Sequence, residues 1–400
     1  MGAPAYSLPD ETFCLLTGAT GALGQEVLFT LLAERPEVKL LVIARGGKGG
    51  NAEKRIRAIM RKRLNGVAQE DALKRAVILD GDVTEPHLGL SPELWLETAA
   101  RTSHIIHCAA AVRFDQPLEE ARQINLEGTR NVLELARAAR RAGLEARFDY
   151  ISTAYVAGKR KGVVYENELE HNKGFHNTYE MSKYETEIMM RVAKNELPVT
   201  VMRPSIIIGN SRTGETGNFK AFYWPIRVYA MNQMRVLPAI NSSLVDLVPV
   251  DYVARAITHL SSLPEAIGQT YHLTAGRENL ITVGEIARAA INFFGVKPPL
   301  MLHPGFLKLA ESRLSHLFLN THTLKTLKLG EPYYPYLALK LQFDDSKTQQ
   351  VLGKAGITAP PVRQFFDTLF QYCVETDWGH KQPGTLTTII KGSEPKPIYV

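Results

Sequence analysis

Cysteine is scarce in this chain. Among 400 residues there are three, Cys14, Cys108 and Cys373, far apart and without paired spacing. That excludes a disulfide framework or a cysteine-built zinc site and predicts a reduced, cytoplasmic protein. No run of ~18 apolar residues occurs, so no segment is expected to span a bilayer. No charged stretch leads into an apolar one near Met1, which predicts no secretory leader. Met1-Gly2 is followed by Tyr6 where N-myristoylation asks for Ser or Thr. Lys and Arg form no dense run interleaved with aromatics, which argues against nucleic acid as a partner. His171 and His176 have no carboxylate or Cys partners at metal spacing in the sequence, so they read as loop histidines and no metal site is expected.

What remains is an ordinary globular composition, 45% hydrophobic and 22% charged, long enough for a large core. The net charge of +6 fits a solvated basic surface and also attraction to anions, such as a nucleotide phosphate, coenzyme A or an acidic lipid surface. Short β-branched runs at 12–17, 38–44, 76–80, 104–108, 148–152 and 199–203 read as strands. Stretches at 24–34, 53–64, 92–101, 124–142 and 179–195 carry the helical period. Alternation of this kind predicts an α/β fold, a doubly wound parallel (Rossmann) sheet. Past residue 209 the pattern changes to a Gly/Ser/Thr-rich loop, an aromatic stretch and, from Ile281, mainly helical sequence. A smaller, mainly helical C-terminal substrate lobe is therefore expected. Residues 11–210 with 246–275 would form the nucleotide-binding body, 211–245 with 276–380 the lobe, and 381–400 a tail.

The first strand runs into Thr17-Gly18-Ala19-Thr20-Gly21-Ala22-Leu23-Gly24 and then an apolar helix. Glycine lets the backbone turn sharply and approach a pyrophosphate, whose charge sits at the N-terminus of the helix that follows. The second strand ends in Arg45, where an NAD site usually carries an acid; a cation, with Lys48 and Arg55 downstream, suits the 2′-phosphate of NADPH. Asp82-Val83, after the third strand, is expected near the adenine.

Tyr179 and Lys183 stand one helical turn apart on one face. A phenol is a weak acid, and a neighbouring ammonium favours its phenolate, so Lys183 is expected to lower the Tyr179 pKa. Ser152 and Thr153 end the fifth strand; both qualify as hydroxyl donors to a substrate oxygen, Thr153 being preferred. Asn125 opens the long helix after the fourth strand, where it either caps that helix or supports a proton-relay water. Aromatic and apolar residues at 219–234 and 300–327 either line an acyl tunnel or form ordinary lobe core.

With these residues in place, the sequence over about 11–275 resembles an extended short-chain dehydrogenase/reductase. The resemblance rests on the glycine turn, Asp82-Val83, His107-Cys108-Ala109-Ala110, Asn125, Ser152-Thr153, Tyr179/Lys183 and Arg203-Pro204. Within that superfamily it is most similar to the fatty acyl-CoA reductase and thioester reductase branch, through residues 41–45 with Arg55, 110–115, 125–129, 152–155 and 177–179. Pro335-Tyr336 with Phe343-Asp344 adds a looser likeness. The resemblance implies NADPH as cofactor, with Arg45 and Arg55 on the 2′-phosphate and Ala109, Ala110, Asn125, Tyr179, Lys183, Pro204 and Ile206 completing its site. It implies Thr153, Tyr179 and Lys183 as catalytic residues, supported by Ser152 and Asn125. The substrate would be an acyl-CoA or acyl-carrier-protein thioester, reduced to the aldehyde, with a second reduction to the alcohol left open. No cysteine nucleophile is needed on this route, and none of the three is expected at the site. Other substrate classes stay open, namely a sterol, sugar-nucleotide or other ketone, as does an NADP-sensing protein without turnover. A homodimer is implied by resemblance alone. Apolar clusters interspersed with Lys308, Arg313, Lys325 and Lys328 leave peripheral membrane contact open without a long amphipathic stripe.

Overall fold

The computed structural model describes residues 11–47, 51–232, 236–303, 305 and 321–381, with backbone alone at 321–325. Lys48, the stretch 306–320 with Lys308 and Arg313, the Lys325 side chain, Met234 and the tail from 382 lie outside this description.

Strands β1 (Phe13–Thr17), β2 (Leu40–Ala44), β3 (Ala76–Asp80), β4 (Thr102–His107) and β5 (Arg147–Ile151) are joined in one sheet by Val199–Pro204 and Thr270–Leu273. The seven run in the order Thr270–Leu273, Val199–Pro204, β5, β4, β1, β2, β3, and every pairing is parallel. Parallel strands must be covered on both faces, and alternate side chains do this. In β1, Cys14 and Leu16 join one core with Val27, Leu28 and Leu31 of helix α1 (Ala22–Glu34). Phe13 and Leu15 join the opposite core, with Val132, Leu133 and Ala136 of the helix Gly128–Arg141.

The chain reverses its winding between β1, which pairs with both β2 and β4, and the strands to either side. A crevice opens at that switch point, beyond the carboxyl ends of the strands. The glycine turn, Arg45, Asp82, Cys108 and Ser152 all follow strand ends on this edge.

Two differences from expectation bear on the site. Gly66–Arg75 forms an additional helix. The long helix begins at Leu118 rather than 124 and contains a π turn over Gln123–Glu127.

A third core gathers Ile226 and Tyr229 from the helix Tyr223–Ala230, Leu237, Val245, Ile286 and Ala290 from the helix Val283–Phe294, and Phe366 and Phe370 from Phe366–Glu375. Short strands also occur here: Val236–Pro238 pairs with Leu300–Leu302, and Leu244–Val245 with Ile281–Thr282. The helix Ser346–Lys354 instead seats Leu352 in the core of the main sheet. No helix among the described residues is long and apolar enough to cross a membrane.

Candidate active site

The turn after β1 is built around two close approaches. Gly18 has φ +77°, and a Cβ there would stand 2.6 Å from the Ala109 nitrogen. A Cβ on Gly24 would lie 2.1 Å from the Gly18 carbonyl oxygen, so only glycine lets α1 start against its own turn. Gly21 is different: its Cβ would meet nothing nearer than the Gly18 oxygen at 3.4 Å, leaving open space over the first turn of α1. Gly21 is also the N-cap and supplies no side-chain acceptor, so the first turn of α1, Ala22 to Gly24, lines the cavity with the positive end of the helix dipole. A dinucleotide pyrophosphate fits this cradle. Thr20 completes the turn, its carbonyl accepting from Gln25 Nε2 at 3.1 Å.

Beneath the turn, Thr17 Oγ1 lies 2.7 Å from His107 Nδ1 and accepts from the Ala109 N–H at 3.2 Å. His107 Nε2 is 3.0 Å from Thr129 Oγ1, which donates to the Asn125 carbonyl. Burial, aided by the charge of Lys183, drives the His107 pKa down to about 3, so a neutral imidazole bridges three segments.

At the end of β2, Arg45 is largely exposed, with its guanidinium 3.5 Å from Asp82. Arg55 Nη1 donates to the Arg45 carbonyl at 3.3 Å, so both cations stand at the same corner of the crevice. Thr84 holds the other Asp82 oxygen at 2.8 Å, and the Val83 carbonyl accepts from Asn131.

Asn125 sits inside the π turn, seven residues into its helix, so it does not cap that helix. Its amide clamps the backbone of Ala111 from both sides (2.8 and 3.1 Å) and donates to Ser182 Oγ at 2.9 Å. The extra residue of the π turn, a local distortion seen often at functional sites, presents this amide to the helix Thr178–Ala193.

That helix carries Tyr179 and Lys183. Lys183 is almost wholly buried; Nζ donates to the Ile151 carbonyl at 2.7 Å and lies 4.2 Å from the Tyr150 ring centroid. Desolvation pulls its pKa down to about 7, against the attraction of Glu187. Tyr179 moves the other way: burial pushes it up to about 12, opposed by a hydrogen bond with the Thr153 hydroxyl and reinforced by Glu180. The lowering expected from Lys183 does not appear among the causes of this shift; the ammonium donates to the Ile151 carbonyl instead. Thr153 Oγ1 also accepts from the Tyr155 N–H at 3.2 Å and approaches the Pro204 carbonyl at 3.4 Å. Ser152 is buried beside it, with an Oγ that has no hydrogen-bond partner of good geometry.

A single cavity of 1190 Å3 starts at Gly18 and residues 21–24, passes Ala110, Ser152, Thr153, Tyr179 and Lys183, and continues by Pro204 and Ile206 into the third core. Its far part is lined by Ile226, Tyr229 and Leu237 on one side and Val283, Ile286, Ala287 and Ala290 on the other. Phe222 and Trp224 line it as the aromatic stretch suggested, whereas the face of Val283–Phe294 was not anticipated. Its signal was in the sequence: apolar residues at i, i+3, i+4 and i+7 following a Thr-x-x-Glu capping box.

Two expectations need correction. Cys108 does reach the site, lining the same cavity as Thr153 and Lys183. Burial pushes its thiol up to about 12, which keeps it protonated and unsuited to nucleophilic attack. His176 is not a surface histidine: it is mostly buried, with Nδ1 3.1 Å from the carboxylate of Glu180. His171 Nε2 is 2.9 Å from the Val156 carbonyl. Among the described residues no cluster of His, Cys, Asp and Glu could hold a metal.

The sequence model of the NAD-binding family described as "Male sterility protein" matches residues 16–257. Fatty acyl-CoA reductase 1 of Homo sapiens is 29% identical, over 71% of this chain and 62% of its own length. An aldehyde reductase of Aspergillus flavus is 31% identical, over 66% of this chain and 26% of its own length. The chain therefore spans less than two thirds of either relative. The crystal structure of the terminal R domain from the myxalamid PKS-NRPS biosynthetic pathway superposes with a TM-score of 0.77 at 29% identity, covering 93% of both chains. The chain thus belongs to the male sterility protein family, within the thioester reductase branch of the extended short-chain dehydrogenases/reductases.

Proposed function

We propose that this chain reduces a long-chain fatty acyl thioester, on coenzyme A or a carrier protein, to the aldehyde and then to the primary alcohol, with NADPH. The observation that carries this reading is the continuity of one cavity, from the glycine turn past Tyr179 into an apolar lobe. Ligand clefts usually enclose roughly 300–1,000 Å3, and this larger space suits a dinucleotide and an acyl chain together. Residues 11–210 with 246–275 are read as the nucleotide-binding body, and 211–245 with 276–380 as the lobe. Arg45 and Arg55 support NADPH over NADH.

Bound NADPH supplies the hydride. Thr153 and Tyr179 donate hydrogen bonds to the carbonyl oxygen, and Tyr179 gives it a proton as negative charge develops there. The carbon–sulfur bond of the resulting hemithioacetal then breaks; its hydroxyl proton is lost, the thiolate leaves and takes up a proton, and the aldehyde remains. Lys183, anchored on Ile151, fixes the end of β5 and would supply positive potential to a cofactor held in this cavity. Asn125 holds residue 111 and Ser182 in register, a positioning role.

Purified protein incubated with a panel of acyl-CoAs should oxidise NADPH and yield aldehyde or alcohol by gas chromatography. NADPH left unoxidised with every thioester, while a sterol or sugar-nucleotide ketone is turned over, overturns the reading.

A further inference from the structure

The first turn of the Tyr179 helix is tied to the C-terminal lobe through one buried carboxylate. Asn177 caps the helix, accepting from the Glu180 N–H at 3.0 Å, and its Nδ2 donates to the Tyr336 hydroxyl at 2.7 Å. Tyr336, in the 3-10 turn Glu331–Leu337, donates in turn to Glu180 Oε1 at 2.5 Å. Glu180 also accepts from the backbone N–H of His176 at 2.8 Å. The Glu180 side chain is 0% exposed, and the basic side chain against it among the described residues is the His176 imidazole, with Nδ1 at 3.1 Å. A carboxylate buried without Lys or Arg is costly unless its oxygens are hydrogen-bonded, so this network exists to keep a charge in place. A second route reaches the same point: the Tyr336 ring stacks on Phe114 at 5.3 Å, and Phe114 lies 5.9 Å from the Tyr179 ring.

We propose that Tyr336 is a positioning residue for Tyr179, fixing the first turn of its helix and holding the Glu180 charge beside the phenol, so that Tyr179 stays a proton donor.

A negative charge next to a phenol opposes phenolate formation, which adds to the effect of burial. Other groups face the pair from each neighbouring element. From the end of β5, the Thr153 hydroxyl favours the phenolate. One helical turn on, Lys183 is directed at Ile151. The loop before the helix brings His176, and the segment Ala154–Ala157 brings the Tyr155 ring, 5.1 Å from Tyr336. Glu180 is the buried anion among them. A site arranged in this way favours delivering a proton over removing one, and it is complete only with the lobe docked. The inference rests on the proposed function only in giving Tyr179 its proton-donor role.

The test pairs a substrate-free measurement with a kinetic one. Fluorotyrosine placed at position 179 reports ionisation of that ring by 19F NMR. Glu180→Gln is expected to lower its midpoint by about half a pH unit or more. Tyr336→Phe keeps the ring and removes the hydroxyl; kcat for carbonyl reduction is expected to fall about tenfold with KM within about twofold. An unmoved midpoint in Glu180→Gln overturns the proposal, as does a Tyr336→Phe variant with wild-type kcat or a raised KM alone. Should Glu180→Gln not fold, the Tyr336→Phe kinetics decide. Both acyl-CoA and fatty aldehyde are assayed: wild-type protein that reduces aldehyde but no thioester counts against the proposed function and leaves this comparison intact. If neither is reduced, the titration alone decides.

Discussion

Lys183 is held by Ile151 through a backbone carbonyl, 2.7 Å from Nζ, rather than by a carboxylate. Its charge is offset by that bond, the Tyr150 ring and the attraction of Glu187, yet desolvation brings the pKa down to about 7. An unfolded lysine titrates near ~10.4. Between those values the unfolded chain binds more protons at this side chain than the folded one, so stability contributed here rises with pH across that window.

Lys183→Met removes the titration. The expected outcome is a melting-temperature difference, mutant minus wild type, that shrinks by a few degrees between about pH 6 and 10. The slope is the readout, because the orphaned Ile151 carbonyl adds a pH-independent cost. Thermal melts at several pH values check it; a flat difference contradicts the buried-ammonium account. Reduction of any carbonyl should fall about a hundredfold or more in the same variant.

Cofactor choice is expected to follow the two arginines beyond β2. Replacing Arg45 and Arg55 with Ala removes charge-assisted hydrogen bonds worth roughly 1.5–3 kcal/mol to a charged partner. The apparent Kd for NADPH, followed by fluorescence titration, should rise about tenfold or more while that for NADH stays within about twofold. Equal losses for both would point to collapse of the β2 corner instead.

Chain-length preference is expected to be set where Val283–Phe294 lines the far part of the cavity. Ala290 is 1% exposed and presents only a methyl to the space. Ala290→Phe fills it, and kcat/KM should drop about tenfold for the longest acyl-CoAs in a panel, with the shortest nearly unchanged. Uniform loss across the panel would mean the residue is ordinary core.

Much of this was legible in the sequence because parallel strands alternate their cores: Phe13 and Leu15 one way, Cys14 and Leu16 the other. The glycine turn and the Tyr179/Lys183 spacing were equally plain. Other parts were hidden for physical reasons. Gly66–Arg75 buries only Ala72 and Arg75, so it has no apolar stripe to betray it. The π turn at Gln123–Glu127 inserts a residue and resets the helical period, which masked the true start at Leu118. His176 and Glu180 stand four apart, but His176 precedes the helix that starts at Thr178, so helical spacing does not announce their contact. Their meeting with Tyr336, some 156 residues on, is tertiary and left no local trace. Cys108 was misjudged because it follows β4 directly, where a side chain packed on the sheet core also borders the crevice.

Cys108 also bears on chemical self-protection. The thiolate, not the thiol, is the nucleophilic form of a cysteine. On the proposed reaction, a thiolate in the wall of this cavity would stand beside an electrophilic carbonyl carbon. The burial that keeps this sulfur protonated removes that hazard without removing the residue.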